Sequence, residues 1–422
     1  MTADGAPHTL LLSGARLLDG RVVDVRISGD RIQAVGTAGS LGPAPAGPGV
    51  PRTLRVALDG YLLLPAPAEP HAHLDAAYSA AHAGPPPDDG HDLLRRVTEA
   101  ALTALGYGAT AQRTHVRIGD VHGLARLEAV LQARRALRGL VDLQAVAMPR
   151  LLTGAAGAAE REMLREALKL GAHAVGGCPD LDPDPTGYVE ELAGIAAEFG
   201  CPVDLHTDGG DPARLARLAG VLGSVRPRAV IGPCTRLGLL PDEAATRCAD
   251  RLAAAGVAVV CLPQSGTCTG SGGPPAPARP AFPFPSPTRV LRRSGVAVAA
   301  GSGALRDSSN PVGRADPLEA AFLLSAAGGL DAVAAYETVS TGARAVLGLP
   351  EVRVEAGFPA ELLAVRGDSL PGVLAGGHSR LVVHGGRVAS RTSAVREFAD
   401  TTALALPRQT RAVPPEWTPP DR

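Results

Sequence analysis

The 422-residue chain carries almost no excess charge of either sign: 41 Lys plus Arg face 42 Asp plus Glu, for a formal net charge of -1. Nothing in that balance draws the protein toward nucleic acid or an anionic membrane, and neither is expected as a partner. Long apolar runs are also missing, since none reaches the eighteen or so residues of a membrane span. The first twenty residues, MTADGAPHTLLLSGARLLDG, contain no basic n-region and an apolar stretch of only LLL, so a cytoplasmic location is expected. The six cysteines (Cys178, Cys201, Cys234, Cys248, Cys261 and Cys268) form no CxxC pair. That spacing suggests neither a disulfide framework nor a zinc ribbon, and buried free thiols are expected instead. Aromatics amount to 3%, and Lys169 is the sole lysine, against 51 Gly and 38 Pro. Such a composition fits the codon bias of a GC-rich bacterial genome and says nothing of chemistry.

Hydrophobic residues make up 45% of the chain, enough to bury a large core in a soluble protein. Its length suits a (β/α)8 barrel of about 250 residues plus a smaller domain. Residues 9–64 hold short apolar runs broken by DG and GD turns (TLLLSGARLLDG, RVVDVRISGDRIQAVG, TLRVALDGYLLLP), and ELLAVRGD and SRLVVHGGRVAS repeat the style near residues 361–390. Both termini therefore read as strands of one small β domain. The expected organisation is residues 1–64 and 348–395 forming a β-sandwich, 65–347 forming the barrel, and 396–422 forming a proline-rich tail.

Between the termini, apolar β-branched runs alternate with Ala/Leu/Arg-rich helical patterns. Strands are predicted at 61–66, 111–118, 141–149, 172–179, 202–208, 228–234, 257–263 and 296–302. The intervening helical patterns, such as AEREMLREALKLG and TGYVEELAGIAAEFG, end in glycine as C-caps do. Eight strand–helix repeats favour a closed parallel barrel, with a doubly wound open sheet as the alternative. Barrel chemistry sits at the C-terminal ends of the strands. There the polar residues gather: His71 and His73 after the first, His115 closing the second, Arg150 after the third, and His206 with Asp208 ending the fifth.

EPHAHLD places His71 and His73 two residues apart, so on an extended segment both imidazoles share a side and form a usable metal pair. An HxH pair alone is a weak signal. With RTHVRIGD, LQAVAMP, GGCPDLDPDP, VDLHTD and DSSNPVGRADPLEAA, however, most of the chain resembles the cytosine deaminase branch of the amidohydrolase superfamily. The resemblance implies one divalent metal, held by HxH, a strand-five histidine and a strand-eight aspartate. That metal makes water nucleophilic near neutral pH toward a ring carbon bearing an exocyclic nitrogen. It further implies a glutamate beside the strand-five histidine as proton shuttle and a strand-six histidine steadying the nucleophile.

His71, His73 and His206 match the three metal histidines. The remaining positions depart from the pattern: Gly209 stands where the glutamate belongs, Gly232-Pro233 where Ser-His belongs, and Gly303 where the aspartate belongs, Asp307 being the next carboxylate. Losing a positioned acid/base forfeits roughly 10²–10⁴ in rate, so ordinary deamination is not expected. The implied cofactor is one zinc or iron ion, weakly bound or absent. The three histidines read equally as a surviving metal facet or as inherited polar residues in a wet barrel mouth. His115 is a catalytic candidate or a satisfied core residue, and Asp208 a base or a loop cap. Arg150 suits an anionic ligand group or plain solvent, and Gln264 and Asp307 complete the candidate ligand-binding set. The Gly/Pro-rich segments 84–90 and 268–287 read as lids or degenerate insertions. Two functions follow. One is a protein that binds a small nitrogen-containing cyclic substrate, with reduced hydrolytic or with cyclase- or lyase-type chemistry. The other is an inactive binding or partner subunit. A homo-oligomer is expected in either case.

Overall fold

The computed structural model describes residues 9–42, 53–80, 89–119, 123–264 and 286–395. The expected tail, Cys268 and most of both Gly/Pro-rich segments lie outside them. The chain divides into two units, one built from residues up to 66 together with those from 352 onward, the other from Pro67–Glu351.

In the first unit, β1 (Thr9–Arg16), β2 (Val22–Ser28), β3 (Arg31–Thr37), β4 (Thr53–Ala57) and β5 (Tyr61–Pro65) come from the N-terminal part of the chain. The expected turns are present: Gly29 (φ +60°) lies between β2 and β3, and Gly60 (φ +77°) leads into β5. Both adopt the left-handed conformation that glycine enters without a Cβ penalty.

The second unit is the barrel. Its strands are β6 (Ala68–Ala72), β7 (Ala111–Arg117), β8 (Asp142–Met148), β9 (Ala174–Gly177), β10 (Val203–Thr207), β11 (Val230–Pro233), β12 (Ala258–Cys261) and β13 (Val298–Ala300). They pair in sequence order, all parallel. A parallel bridge between Ala72 and Gly303 brings the first strand back to the end of the last.

From the C-terminal region, β14 (Leu362–Arg366), β15 (Arg380–His384) and β16 (Arg387–Thr392) complete the first unit. Its strand order is β16-β15-β14-β5-β1-β2-β3, with β4 beside β1, so the expected sandwich takes the form of one continuous mixed sheet. Leu10, Leu12, Val25, Ile27, Leu63, Leu362 and Leu381 are buried in its core.

One expected strand belongs elsewhere. YLLLP reads as the first barrel strand because it is apolar and is followed by EPHAHLD. It is instead β5, antiparallel to β14 (Leu63 opposite Ala364). The first barrel strand is the following segment, β6, whose five residues are all buried. An apolar run of five fits the centre of either sheet, and only its pairing decides which.

Helix boundaries follow local chemistry. Helices Ala158–Leu170 and Pro185–Phe199 end on Gly171 (φ +112°) and Gly200 (φ +64°), the predicted C-caps. An Asp-Pro start recurs at Asp184-Pro185, Asp211-Pro212 and Asp316-Pro317. In each, the carboxylate accepts a hydrogen bond from an N–H of the first turn and proline fills the first helical position. No helix among the described residues is long and apolar enough to cross a membrane.

Candidate functional site

The interior of the barrel is polar along β7 and β10. Side chains two apart on a strand share a face, so Arg113 and His115 point inward together from β7, as do Asp204 and His206 from β10. The lower residues form a closed network. Arg113 Nη1 donates to Asp204 Oδ2 at 2.8 Å, and its Nε and Nη2 donate to Gln144 Oε1 at 3.0 and 2.9 Å. Gln144 Nε2 in turn donates to the Leu347 carbonyl at 3.0 Å. Arg113 and Asp204 are fully buried, so their charges are compensated within the protein.

Above this network four imidazoles converge. The His71 ring centroid lies 4.1 Å from that of His115 and 4.4 Å from that of His206, and the His73 and His206 Nε2 atoms are 3.1 Å apart. His71 is held on a strand with a β-bulge, where Glu69 accepts the His71 N–H (3.1 Å) and the Ser302 N–H (2.8 Å). Glu69 thereby ties the first barrel strand to the end of the eighth, where the backbone ladder is reduced to the Ala72–Gly303 bridge. Burial raises the Glu69 carboxyl to about 7, against the opposing effect of the Ser302 and backbone hydrogen bonds.

Burial, reinforced by His115 and the other neighbouring rings, holds His71 and His206 well below the ordinary histidine range. Burial, with His115 and Arg117 close by, brings His73 down to about 3. These imidazoles are therefore neutral near pH 7, the form that ligates a metal. Both ring nitrogens of His71 and of His115, with His206 Nδ1, are buried and have no hydrogen-bond partner. Each neutral imidazole offers one lone pair, so these rings could ligate a cation. Two sets of ligand atoms each fall within 4.8 Å of one another: His71–His73–His206, and His71–His115–Asp204. The side chains present fit a divalent ion.

The remaining sequence candidates have other attachments. Asp208, half-exposed, accepts the Gly210 N–H at 2.9 Å and lies 3.5 Å from Arg236 Nε, the arrangement of a loop cap. Asp307 is buried and accepts from the Ser309 hydroxyl and the Ser309 and Asn310 N–H groups. Gln264 Nε2 donates to Glu319 Oε2 at 2.9 Å. Arg150 is exposed, and its backbone N–H donates to Glu160. None of these four has an atom in either ligand set. Cys201, Cys234, Cys248 and Cys261 are buried free thiols, and Cys178 is partly buried.

Sequence reasoning passed over Arg113, Asp204 and Glu69. Arg113 and Asp204 each stand two residues ahead of a histidine already singled out, so the period-two rule run backward along each strand would have found them. Glu69 likewise stands two residues ahead of His71, but the register shift between Glu69 and Ala72 means that the spacing alone does not say which way it points.

The amidohydrolase family model matches residues 97–389. Over 286 residues the chain is 27% identical to a pterin deaminase of Rhizobium rhizogenes, covering 64% of this chain and 63% of that protein. It is 26% identical over 214 residues to the N-isopropylammelide isopropyl amidohydrolase of Pseudomonas sp. strain ADP, covering 44% and 49%. The chain thus spans less than two thirds of the length of either relative. Among solved structures, the N-isopropylammelide isopropylaminohydrolase of Burkholderia multivorans superposes with a TM-score of 0.76 at 29% identity, over 91% of this chain and 99% of that one. The 5-methylcytosine deaminase of Klebsiella pneumoniae, at 20% identity, shares the fold with a TM-score of 0.74 over 93% and 100%. With its parallel barrel, its histidine cluster and a family match across more than half its length, the chain belongs to the amidohydrolase family.

Proposed function

We propose that this protein binds a small nitrogen-containing cyclic ligand at the C-terminal mouth of its barrel, above a divalent zinc or iron ion held by the histidine cluster. The carrying observation is the set of buried, neutral imidazoles whose ring nitrogens lack partners. The names of two relatives, a pterin deaminase and an N-isopropylammelide isopropyl amidohydrolase, support a ligand of this class. A bound ion supplies Lewis acidity. Of the chain's own residues, Arg150, exposed past the end of β8, would meet an anionic ligand group, and Asp208, half-exposed after β10, is the group available to move a proton. The reaction is reduced hydrolysis, or a non-hydrolytic cyclisation or elimination, because Gly209, Pro233 and Gly303 occupy the acid/base, strand-six and strand-eight positions.

A second reading, an inactive binding or partner subunit, is favoured by the backbone at two of those positions. Gly209 and Gly303 have φ of +69° and +73°. A side chain restored there costs on the order of 1–2 kcal/mol in backbone strain.

The test is a thermal-shift and turnover screen of zinc- and iron-loaded protein against pterins, pyrimidines and s-triazines. Ligand-dependent stabilisation without ammonia release at ordinary rates of about 1–10³ per second is expected, and conversion to another product separates the first reading from the second. Stabilisation by none of these ligands overturns the ligand class. Zinc alone raises thermal stability by mass action, and replacing His71, His73 and His206 together by alanine abolishes that rise. An equal rise in the triple variant removes the metal from the proposal.

A further inference from the structure

The two overlapping ligand sets of the cluster are chemically unequal. His71, His73 and His206 present three neutral imidazoles and no negative charge. Two of them, His73 and His206, already face each other through Nε2 atoms 3.1 Å apart, so one ring's N–H is placed to meet the other's lone pair. The second set, His71, His115 and Asp204, contains a carboxylate. His115 Nε2 faces Asp204 Oδ1 at 3.2 Å, and the remaining His115 nitrogen and both nitrogens of His71 are buried without a hydrogen-bond partner.

We propose that the divalent ion sits below the three-histidine facet, on His71, His115 and Asp204, with Asp204 supplying the negative charge that Gly303 lacks. The proposal rests on the reading that this barrel binds a divalent ion, and it names the ligands.

Two imidazoles and one carboxylate, with further positions open, are an established donor set for both zinc and non-haem iron(II). A carboxylate attracts a divalent cation by charge, which a third neutral ring does not. The support around Asp204 is also that of a held ligand. Arg113 takes Oδ2 at 2.8 Å and is itself fixed by Gln144, which leaves Oδ1 alone to turn toward the rings. Partners of this kind orient a ligand and tune its affinity. Arg113 is also a competing cation, so the ion shares the carboxylate and binds moderately. All three residues of this set are buried, whereas the other set includes the partly exposed His73. The ion therefore lies on the more buried side of the cluster, with the partly exposed His73 on its other side.

The experiment is titration of chelator-stripped, full-length protein with zinc by calorimetry and with cobalt(II) by visible absorption. The variants are His115→Gln, which keeps the Arg113–Asp204 pair intact, and His73→Gln, with Asp204→Asn as a third if it folds. His115→Gln is expected to weaken zinc binding at least about tenfold and to change the cobalt spectrum. His73→Gln is expected to change affinity less than about threefold and to leave the spectrum as in wild type. Loss of binding in His73→Gln with none in His115→Gln, or equal losses in both, overturns the assignment while leaving metal binding in place. A wild-type protein that binds neither ion overturns the metal reading itself.

Discussion

Strands β7 and β10 turn Arg113, His115, Asp204 and His206 into the barrel, whereas β11, β12 and β13 meet them with small or apolar residues. The register makes the contrast direct: Asp204 stands opposite Val230 and His206 opposite Gly232, and Val230, Ala258, Val260 and Ala299 share one buried cluster. On the polar arc each buried charge needs a partner. On the small arc the backbone has come close enough that side chains no longer fit. A Cβ at Gly232 would lie 2.4 Å from the Val260 carbonyl oxygen, and one at Gly301 would lie 2.2 Å from Glu69 Oε1. One arc of the interior is thus held by charge and hydrogen bonds and another by close approach, and the candidate metal ligands on strands β7 and β10 lie on the first.

The sharpest way to break this contrast is Arg113→Met. It strands Asp204 without its counter-ion and is expected to cost about 3–5 kcal/mol, read by denaturant unfolding at pH 7. A loss below about 1 kcal/mol would mean that the polar arc is not held by that pair.

Acid acts next, and on the same arc. His71, His73 and His206 have folded values below the unfolded 6.5, so the unfolded chain takes up protons that the fold refuses. Their contribution is complete above pH 6.5 and is lost as pH falls below it, toward about 3 for His73, by up to about 1.4 kcal/mol per histidine per pH unit. Metal-free protein melted at pH 7.0 and 5.5 should show this loss. The triple alanine variant should show a flatter pH dependence, and an unchanged slope would place the acid sensitivity elsewhere.

On the small arc, Gly232→Val tests close approach instead of charge. Overpacking against the Val260 carbonyl should cost about 1–3 kcal/mol with no added pH dependence, whereas wild-type stability would show that the arc has room to spare. The smallest effect belongs to neither arc. Tyr188, on the helix Pro185–Phe199, donates to the Pro149 carbonyl at 2.8 Å, and Tyr188→Phe should cost about 1 kcal/mol in thermal or denaturant unfolding.

Much of the barrel was legible in the sequence because its signals are local. Apolar runs, glycine C-caps and the separation of strands by helical patterns marked its strands after the first within a few residues of where they lie. The first was misplaced because YLLLP and AEPHA are adjacent, and both are buried on pairing. In the site, EPHAHLD and VDLHTD named the three histidines of one ligand set, since HxH periodicity and position at a strand end need no partner to be read. Asp208 and Asp307 accept from backbone N–H groups of their own loops, and Gln264 Nε2 donates to Glu319 on the helix Pro317–Ala326, contacts that their sequence positions do not show. Sequence position places a residue near the mouth without saying which way its side chain turns.

What the sequence by itself determined, then, is everything set by period and short-range chemistry: strand–helix alternation, Asp-Pro helix starts, the glycine turns, and histidines on a common face. Tertiary structure alone decided which sheet β5 joins, that Arg113 meets Asp204 across 91 residues, and that Glu69 reaches Ser302 across 233 to tie the first strand to the eighth. The reason is physical. A side-chain period is written into adjacent residues, whereas parallel pairing and barrel closure select partners far apart in the chain, and only the closed register shows which buried charges face each other.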